Sequence, residues 1–403
     1  MAAIPSQNAG ASTAARTEIA DVVIIGGGVI GTSIAYYLAA AGVPRVMLLE
    51  RGTLGCGSTC RAIGGIRTSF GNETNIRLGR HNRQAYASFA TVHGQDIDLT
   101  EIGYLYLVTE EADLSEFERC VELQRAHGVD SRMITPREAQ RLSPHLDPTG
   151  LRAAVWTPRD AIAAPEAVVQ GYARSARAHG AQVRTGVTVT AIERAGDGTG
   201  DITAVHTSHG PVATGTVVIA AGAWSAQVGA LAGVDLPVTP VRRQVVFTEP
   251  LRLPRPSVPL TVEIPHNFYY RYEGNRLLLG YSDPHQEPGY DARYQLEPWL
   301  SRMVERMAVR TPELLDVGLD ERGWAGLYEV TPDHNQIVGE FTRPSRLLYA
   351  TGFSGHGFQM GPAVGTIVRD LYLGVEPLVD VGPMSIDRFT GTGTQLRSEA
   401  VAV

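Results

Sequence analysis

Val22-Val23-Ile24-Ile25-Gly26-Gly27-Gly28-Val29-Ile30-Gly31 is the stretch whose reading decides the fold. Four apolar residues read as a buried strand and the glycines as a tight turn. The residues from Val29 onward, with Ile34, Tyr37 and Leu38 at helical spacing, read as a helix. A second apolar run, Val46–Leu49, ends at Glu50, 19 residues past Gly31. Strand, glycine turn, helix, strand and terminal acid make the βαβ unit that binds an adenine dinucleotide. Gly26 permits the turn, Gly28 lets backbone approach a pyrophosphate, and Gly31 lets the helix pack closely on the sheet. The helix N-terminus then faces the phosphate charge, and Glu50 is placed to hold ribose hydroxyls.

Working outward, 403 residues are too many for one ordinary core, so two domains are expected. At 43% hydrophobic and 19% charged, the composition is that of a soluble globular protein. The longest apolar stretches, such as Val217–Ala223, fall far short of the roughly 20 residues of a membrane span. Residues 1–19 are rich in Ala and Ser with no apolar core for a signal peptide. They read as a disordered extension on a cytoplasmic protein. Three cysteines, Cys56, Cys60 and Cys120, give no disulfide framework, and the first two read as small residues in a tight loop. A net charge of −7 argues against nucleic acid as a partner. Residues 51–83 nevertheless carry Arg51, Arg61, Arg67, Arg77, Arg80 and Arg83 against the single acid Glu73. That local excess suggests anionic ligands, although the last three also fit a solvated helix face. The chain contains no lysine, which removes Schiff-base, pyridoxal phosphate and P-loop chemistry.

Helical patterning covers 75–91 and 112–127, with strand-like Tyr104–Val108 between them. A helix over 165–179 leads to strand-like Gln182–Thr185, an alternating run Val187–Ile192, and a buried-strand run Val217–Ala221 ending at Gly222. Alternation at Gln244–Thr248, Phe268–Tyr272 and Arg276–Tyr281 gives residues 233–324 antiparallel character. Leu347–Ala350 reads as a buried strand and Gly361–Leu373 as a helix. The expected fold is α/β. A discontinuous Rossmann-like nucleotide-binding domain is drawn from 20–90, 160–232 and 325–390. An antiparallel-β-rich substrate domain is drawn from 91–159 and 233–324, and 391–403 form a tail.

The second informative stretch is Tyr349-Ala350-Thr351-Gly352-Phe353-Ser354-Gly355-His356-Gly357-Phe358-Gln359-Met360-Gly361-Pro362. A strand runs into a glycine-dense loop, and Pro362 sits where a first helical turn would begin. Backbone amides beside the positive end of a helix suit a flavin ring, which gains negative charge at its N1–C2=O edge on reduction. A nicotinamide enzyme has no comparable need for this second loop. For His356, a proton relay and a loop-fixing hydrogen bond both stay open.

With Val22–Gly31 and Glu50, the segments Gly57-Ser58-Thr59, Gly64-Gly65-Ile66-Arg67, Thr331-Pro332-Asp333 and Gly352–Phe358 resemble the FAD-dependent amine oxidoreductases. This family includes sarcosine oxidases, glycine oxidase, D-amino acid oxidase and dimethylglycine dehydrogenase. The resemblance runs from about residue 20 to 375 and is nearest in pattern to sarcosine oxidases and related β-type subunits. It implies that Gly26, Gly28, Val29, Ile30, Gly31, Glu50, Arg51, Ser58 and Thr59 bind the ADP half of FAD. It further implies that Gly64 and Gly65 belong to the cofactor site and that Val187 lies near the adenine. Gly222, Gly355, His356, Gly357, Phe358 and Gln359 are implied around the flavin. Arg67 matches the arginine that grips a substrate carboxylate, a role suited to a guanidinium fork; a structural salt bridge is the alternative. Tyr270 and Tyr328 fall near family positions against the substrate, although core or surface packing would also account for them.

Three departures qualify the resemblance. Gly326 stands where monomeric sarcosine oxidases carry their flavin-linking cysteine, so noncovalent FAD is expected. Gln359 replaces the lysine after the glycine loop, and Leu278 aligns with the oxygen-activating lysine. The resemblance therefore implies oxidation of a secondary or tertiary amine, an N-methyl or cyclic amino acid, by hydride transfer to FAD. Oxygen or another acceptor would reoxidise the flavin, with an oxidase slightly favoured. The partner implied is a small carboxylated amine. Homo-oligomerisation, an electron-acceptor partner, and a flavin-carrying subunit that is inactive alone stay open. No metal site is expected.

Overall fold

The computed structural model describes residues 18–196, 200–251, 258–342, 345–391, 396, 398 and 399. Its centre is a six-stranded sheet in the order Gln182–Arg184, Val46–Leu49, Val22–Ile25, Val217–Ile219, Leu347–Thr351, Ile337–Glu340. All neighbours are parallel except the last pair. Both faces are covered, which is why these strands read as unbroken apolar runs. Val22, Ile24, Val46, Leu48, Val218 and Leu348 pack with the helices Val29–Ala40, Pro165–Ala178 and Gly357–Leu373. Their alternates Val23, Ile25, Met47, Leu49, Val217, Ile219 and Tyr349 pack beneath a four-stranded sheet. That sheet contains Glu18–Ile19, Val189–Arg194, Ile202–Thr207 and Gly210–Ala213.

The second large sheet has eight strands, ordered Leu319–Val330, Thr239–Thr248, Arg276–Tyr281, Phe268–Glu273, Leu260–Ile264, Tyr104–Val108, Ala153–Thr157, Arg132–Ile134. It is antiparallel as expected except where Leu260–Ile264 runs parallel to Tyr104–Val108. Its two faces are distinct cores. Val246, Phe268, Tyr270, Leu277 and Leu279 pack with Trp299, Met303 and Met307 of the helix Trp299–Arg310. Tyr104, Tyr106, Val245, Leu260, Val262 and Tyr269 lie on the other face.

Sequence expectation and structure differ at four places. The last helix begins at Gly357, not Gly361, and Pro362 lies inside it. Proline lacks the N–H that would bond Phe358 O; the Tyr86 hydroxyl donates to that carbonyl instead, at 2.7 Å. Asn82 Oδ1 accepts the next amide, Ala363 N, at 2.7 Å. The helix thus continues through the proline because a neighbouring helix, Glu73–Ala87, satisfies its polar groups. The strand Leu319–Val330 runs across the 324/325 boundary, so it belongs to both expected segments. Of the expected N-terminal extension, residues 1–17 lie outside the described residues, while Glu18–Ile19 pair in parallel with Val212–Ala213. Most of 391–403 also lies outside them, but the Glu399 carboxylate is buried and accepts from Gly71 N at 2.8 Å. Among the described residues no helix is long and apolar enough to cross a membrane.

Candidate active site

A cavity of about 550 Å³ is lined at once by the first glycine turn, the C-terminal glycine loop and the Tyr104, Val245 and Tyr269 face of the eight-stranded sheet. The chain's two ends meet there because the strands Val22–Ile25 and Leu347–Thr351 both flank Val217–Ile219.

At one end lie Gly26, Gly28, Val29, Ile30, Glu50, Arg51, Ser58, Thr59 and Val187. Gly31 does not line the cavity. Its Cα faces Gly26 O so closely that a Cβ would lie 1.9 Å from that oxygen. Glu50 braces the turn, with Oε2 accepting from Gly27 N and Oε1 from Gly52 N, each at 2.7 Å. Thr59 Oγ1 accepts from Val29 N at 3.1 Å, capping the helix from a separate loop. The amides of Ile30 and Gly31, in the first turn, have no intrahelical acceptor and suit an anion. Ser58 Oγ donates to Leu327 O at 2.5 Å and Val187 N to Glu50 O at 2.9 Å, so both also hold the cavity wall. Arg51 lies over the Trp224 ring at 4.1 Å.

At the other end stand Gly64, Gly65, Gly222, Gly355, His356, Gly357, Phe358 and Gln359. Gly355 has φ of +102°, and a Cβ there would come within 2.4 Å of Tyr328 Cε2; the tyrosine ring lies directly on the loop. His356 Nε2 is 3.0 Å from Gln336 Oε1, and Gln336 Nε2 donates to Asn75 Oδ1 at 2.7 Å. That orientation makes Nε2 the protonated nitrogen and leaves Nδ1 as an acceptor, buried without a protein partner. Burial, then the charge of Arg67, lowers the His356 pKa to about 3, so the ring is neutral. The Arg67 amide donates to Gln359 Oε1 at 2.6 Å. The Arg67 guanidinium sits 4.3 Å from the Phe70 ring centre and donates to Ser69 O and the Tyr106 hydroxyl, each at 3.2 Å. Asp160, missed in the sequence, braces this loop by accepting from Thr68 N at 2.8 Å, Thr68 Oγ1 at 2.7 Å and Ser69 Oγ at 2.9 Å.

Tyr270 is a correction. Its side chain points to the opposite face of the sheet, where the hydroxyl bonds Ser143 Oγ at 2.7 Å. The adjacent Tyr269 faces the cavity, because successive residues of a strand point to opposite sides. Sequence reading also missed Glu329, Arg243, Tyr104 and Tyr106, which line the same cavity or chamber. Glu329 Oε2 accepts from Thr351 Oγ1 at 2.7 Å and Gly352 N at 3.2 Å, and burial raises its pKa to about 7. Among the described residues no cluster could hold a metal ion.

The residues fit a flavin dinucleotide. Free first-turn amides and a braced carboxylate stand at one end. A closely packed glycine loop, a helix N-terminus and an unpartnered His356 Nδ1 stand at the other. Gly326, which stands in place of the cysteine of the resembled monomeric sarcosine oxidases, lines the cavity. The chain matches the FAD dependent oxidoreductase (DAO) family over residues 21–371. It is 30% identical over 380 residues to glycine oxidase of Geobacillus kaustophilus, covering 92% of this chain and 97% of that protein. It is 27% identical over 378 residues to 4-methylaminobutanoate oxidase (formaldehyde-forming) of Paenarthrobacter nicotinovorans. There the match covers 92% of this chain but only 45% of the relative's length. The crystal structure of L-proline dehydrogenase from P. horikoshii superposes with a TM-score of 0.85 at 30% identity, covering 94% of this chain and 100% of that one. The chain therefore belongs to the FAD-dependent oxidoreductases of the DAO family, with a Rossmann-like dinucleotide fold and FAD as its cofactor.

Proposed function

We propose that this protein oxidises a secondary or tertiary amine, an N-methyl or cyclic amino acid, to an imine. The observation that carries this reading is one continuous cavity joining the flavin-type glycine loop to a chamber of arginines and tyrosines on the sheet. Relatives named for 4-methylaminobutanoate and L-proline, both secondary amines, support the substrate class, and the relative named for glycine supports only a small amino acid.

Bound FAD supplies a hydride acceptor. The chain's own residues orient the amine, exclude water and balance charge. Arg67 holds a substrate carboxylate, with its backbone fixed by Gln359 and its guanidinium steadied by Phe70 and Tyr106. Tyr328 and Tyr269 present hydroxyls in the chamber, and burial keeps both protonated. Val245, Leu260 and Val262 make the floor apolar, which favours an unprotonated amine. His356 Nδ1 accepts one hydrogen bond from whatever N–H or O–H is bound beside it. The amides of Gly357 and its successors, at the helix N-terminus, stabilise negative charge developing on the cofactor side. No side chain acts as a covalent catalyst. The imine, once released, hydrolyses in water.

The test is a panel of sarcosine, proline and other N-substituted amino acids, read by peroxide formation and by dye reduction. Peroxide release by the isolated chain supports an oxidase. Dye reduction without peroxide supports a dehydrogenase or a subunit with a separate acceptor. Absence of flavin reduction by every amine refutes the reading.

A further inference from the structure

Four arginines line the cavity: Arg51 lies over Trp224 and Arg61 donates to Ala325 O, while Arg67 and Arg243 stand among the tyrosines and are held differently. Arg67 is anchored by Ser69, Phe70 and Tyr106 on the glycine-loop side. Arg243 stands on the strand Thr239–Thr248, on the same face as Val245. Its neighbour across the sheet is Gly326, and the Arg61 side chain packs where a side chain of Gly326 would stand. Its Nη1 donates to Arg242 O at 3.2 Å, and its guanidinium lies 5.5 Å from the Tyr328 ring centre. Its Nε is buried with no partner.

The surrounding acids have other partners: Glu399 and Asp160, whose fields reach Arg67, accept from Gly71 N and from Thr68 and Ser69. Asp283, whose field reaches Arg243, is ion-paired with Arg302. Glu329 is turned to Thr351 and Gly352. Among the described residues, neither the buried Arg67 nor the half-buried Arg243 forms an ion pair, whereas a buried cation ordinarily has a paired or hydrogen-bonded anion. The chamber is also furnished for an anion at Arg243. The tip of the Tyr269 ring leans over Gly280, where a Cβ would lie 2.1 Å from it, toward the strand that carries Arg243. A tyrosine hydroxyl and a guanidinium fork are together a suitable receptor for a carboxylate.

We propose that Arg243 is a second anion-binding position in the chamber. The substrate class is then N-substituted amino acids with two acidic groups, one held at Arg67 and the other at Arg243. This rests on the amine-oxidation reading only for the identity of the reacting group. Burial lowers the Arg243 pKa, and the fields of Tyr328 and Tyr269 oppose that shift; a guanidinium stays charged in either case.

The test uses the FAD-loaded protein and two inert probes, glutarate and butanoate, followed by perturbation of the bound-flavin absorbance. Glutarate is expected to bind at least about tenfold more tightly than butanoate. In R243Q that preference is lost, and in R243K, which keeps the charge without the fork, it is partly restored. Flavin content and circular dichroism of both variants establish that they fold, and R243K alone suffices if R243Q does not. Equal affinity for the two acids, binding of neither, or an equal loss of both in the variants overturns the proposal. In parallel, N-methylglutamate is compared with sarcosine as substrate. Glutarate preference without any amine turnover sinks the amine-oxidation reading and leaves the anion pair standing. Sarcosine turnover without glutarate preference does the reverse.

Discussion

Gly31→Ala tests the first glycine turn most sharply. A Cβ at this position would lie 1.9 Å from Gly26 O and 3.0 Å from Gly26 C. Ordinary contact needs about 3.5 Å, so roughly 1.5 Å of separation must be found. The obstacle is backbone, not the end of a flexible side chain. Gly26 cannot retreat easily either: its N–H donates to Leu49 O at 2.9 Å, and a Cβ built on it would already meet Ala220 O at 2.2 Å. Helix and turn must therefore separate, at a cost of about 1–3 kcal/mol. The same movement displaces the amides at the start of the helix Val29–Ala40 from the phosphate position. FAD affinity should fall by about tenfold or more, which corresponds to ~1.4 kcal/mol of lost binding. Gly215→Ala is the control, because a Cβ there meets nothing within 4 Å and the change should stay within about 0.5 kcal/mol. Urea unfolding of the apoproteins and fluorescence titration with FAD measure both effects. A Gly31→Ala protein with the parent's stability and FAD affinity would refute the reasoning.

Glu50→Ala strips two backbone donors, Gly27 N and Gly52 N, of their acceptor. It should lower stability by about 1–3 kcal/mol and weaken FAD binding, both read by the same titrations; unchanged FAD affinity would contradict this. Tyr269→Phe should impair amine turnover or probe binding, whereas Tyr270→Phe should cost only about 1 kcal/mol of stability through Ser143. Steady-state kinetics showing the reverse order would contradict the face assignment. For Glu329, the folded carboxyl titrates at about 7 against an ordinary value of 4.5. The folded state then binds more protons between these limits, so this group's contribution is full below about pH 4.5 and is lost as pH rises through 7. Glu329→Gln should therefore gain on the parent by about 3 kcal/mol at most between pH 4.5 and 8 in urea unfolding; parallel profiles would contradict it.

The first glycine turn was legible because every part of it answers to a local requirement: Gly26 at φ of +119°, Gly31 against backbone, Glu50 at a strand end. The C-terminal loop was legible for the same reason, through Gly355 and the helix that follows it. Adjacent residues on a strand covered on both sides were not. Tyr269 and Tyr270 are both almost fully buried, one in each core, so hydrophobic alternation cannot say which faces the chamber. Arg242 and Arg243 pose the same problem: the first reaches Gln286 and Asp291 outside the chamber, the second turns inward. Partners distant in sequence left no signal at all. Asp160 reaches the Arg67 loop across 92 residues, and Tyr86 supplies the hydroxyl that lets a helix pass through Pro362 from 272 residues away.

The central claim is that the two ends of the chain enclose one FAD molecule. Spectroscopic titration of the purified protein, followed by denaturation and quantitation of what is released, tests it directly. The account predicts one intact FAD per chain, freed completely into solution, with occupancy reduced by Gly31→Ala at one end and by Gly355→Ala at the other. A protein that binds no FAD, or whose FAD occupancy responds to neither substitution, would contradict it.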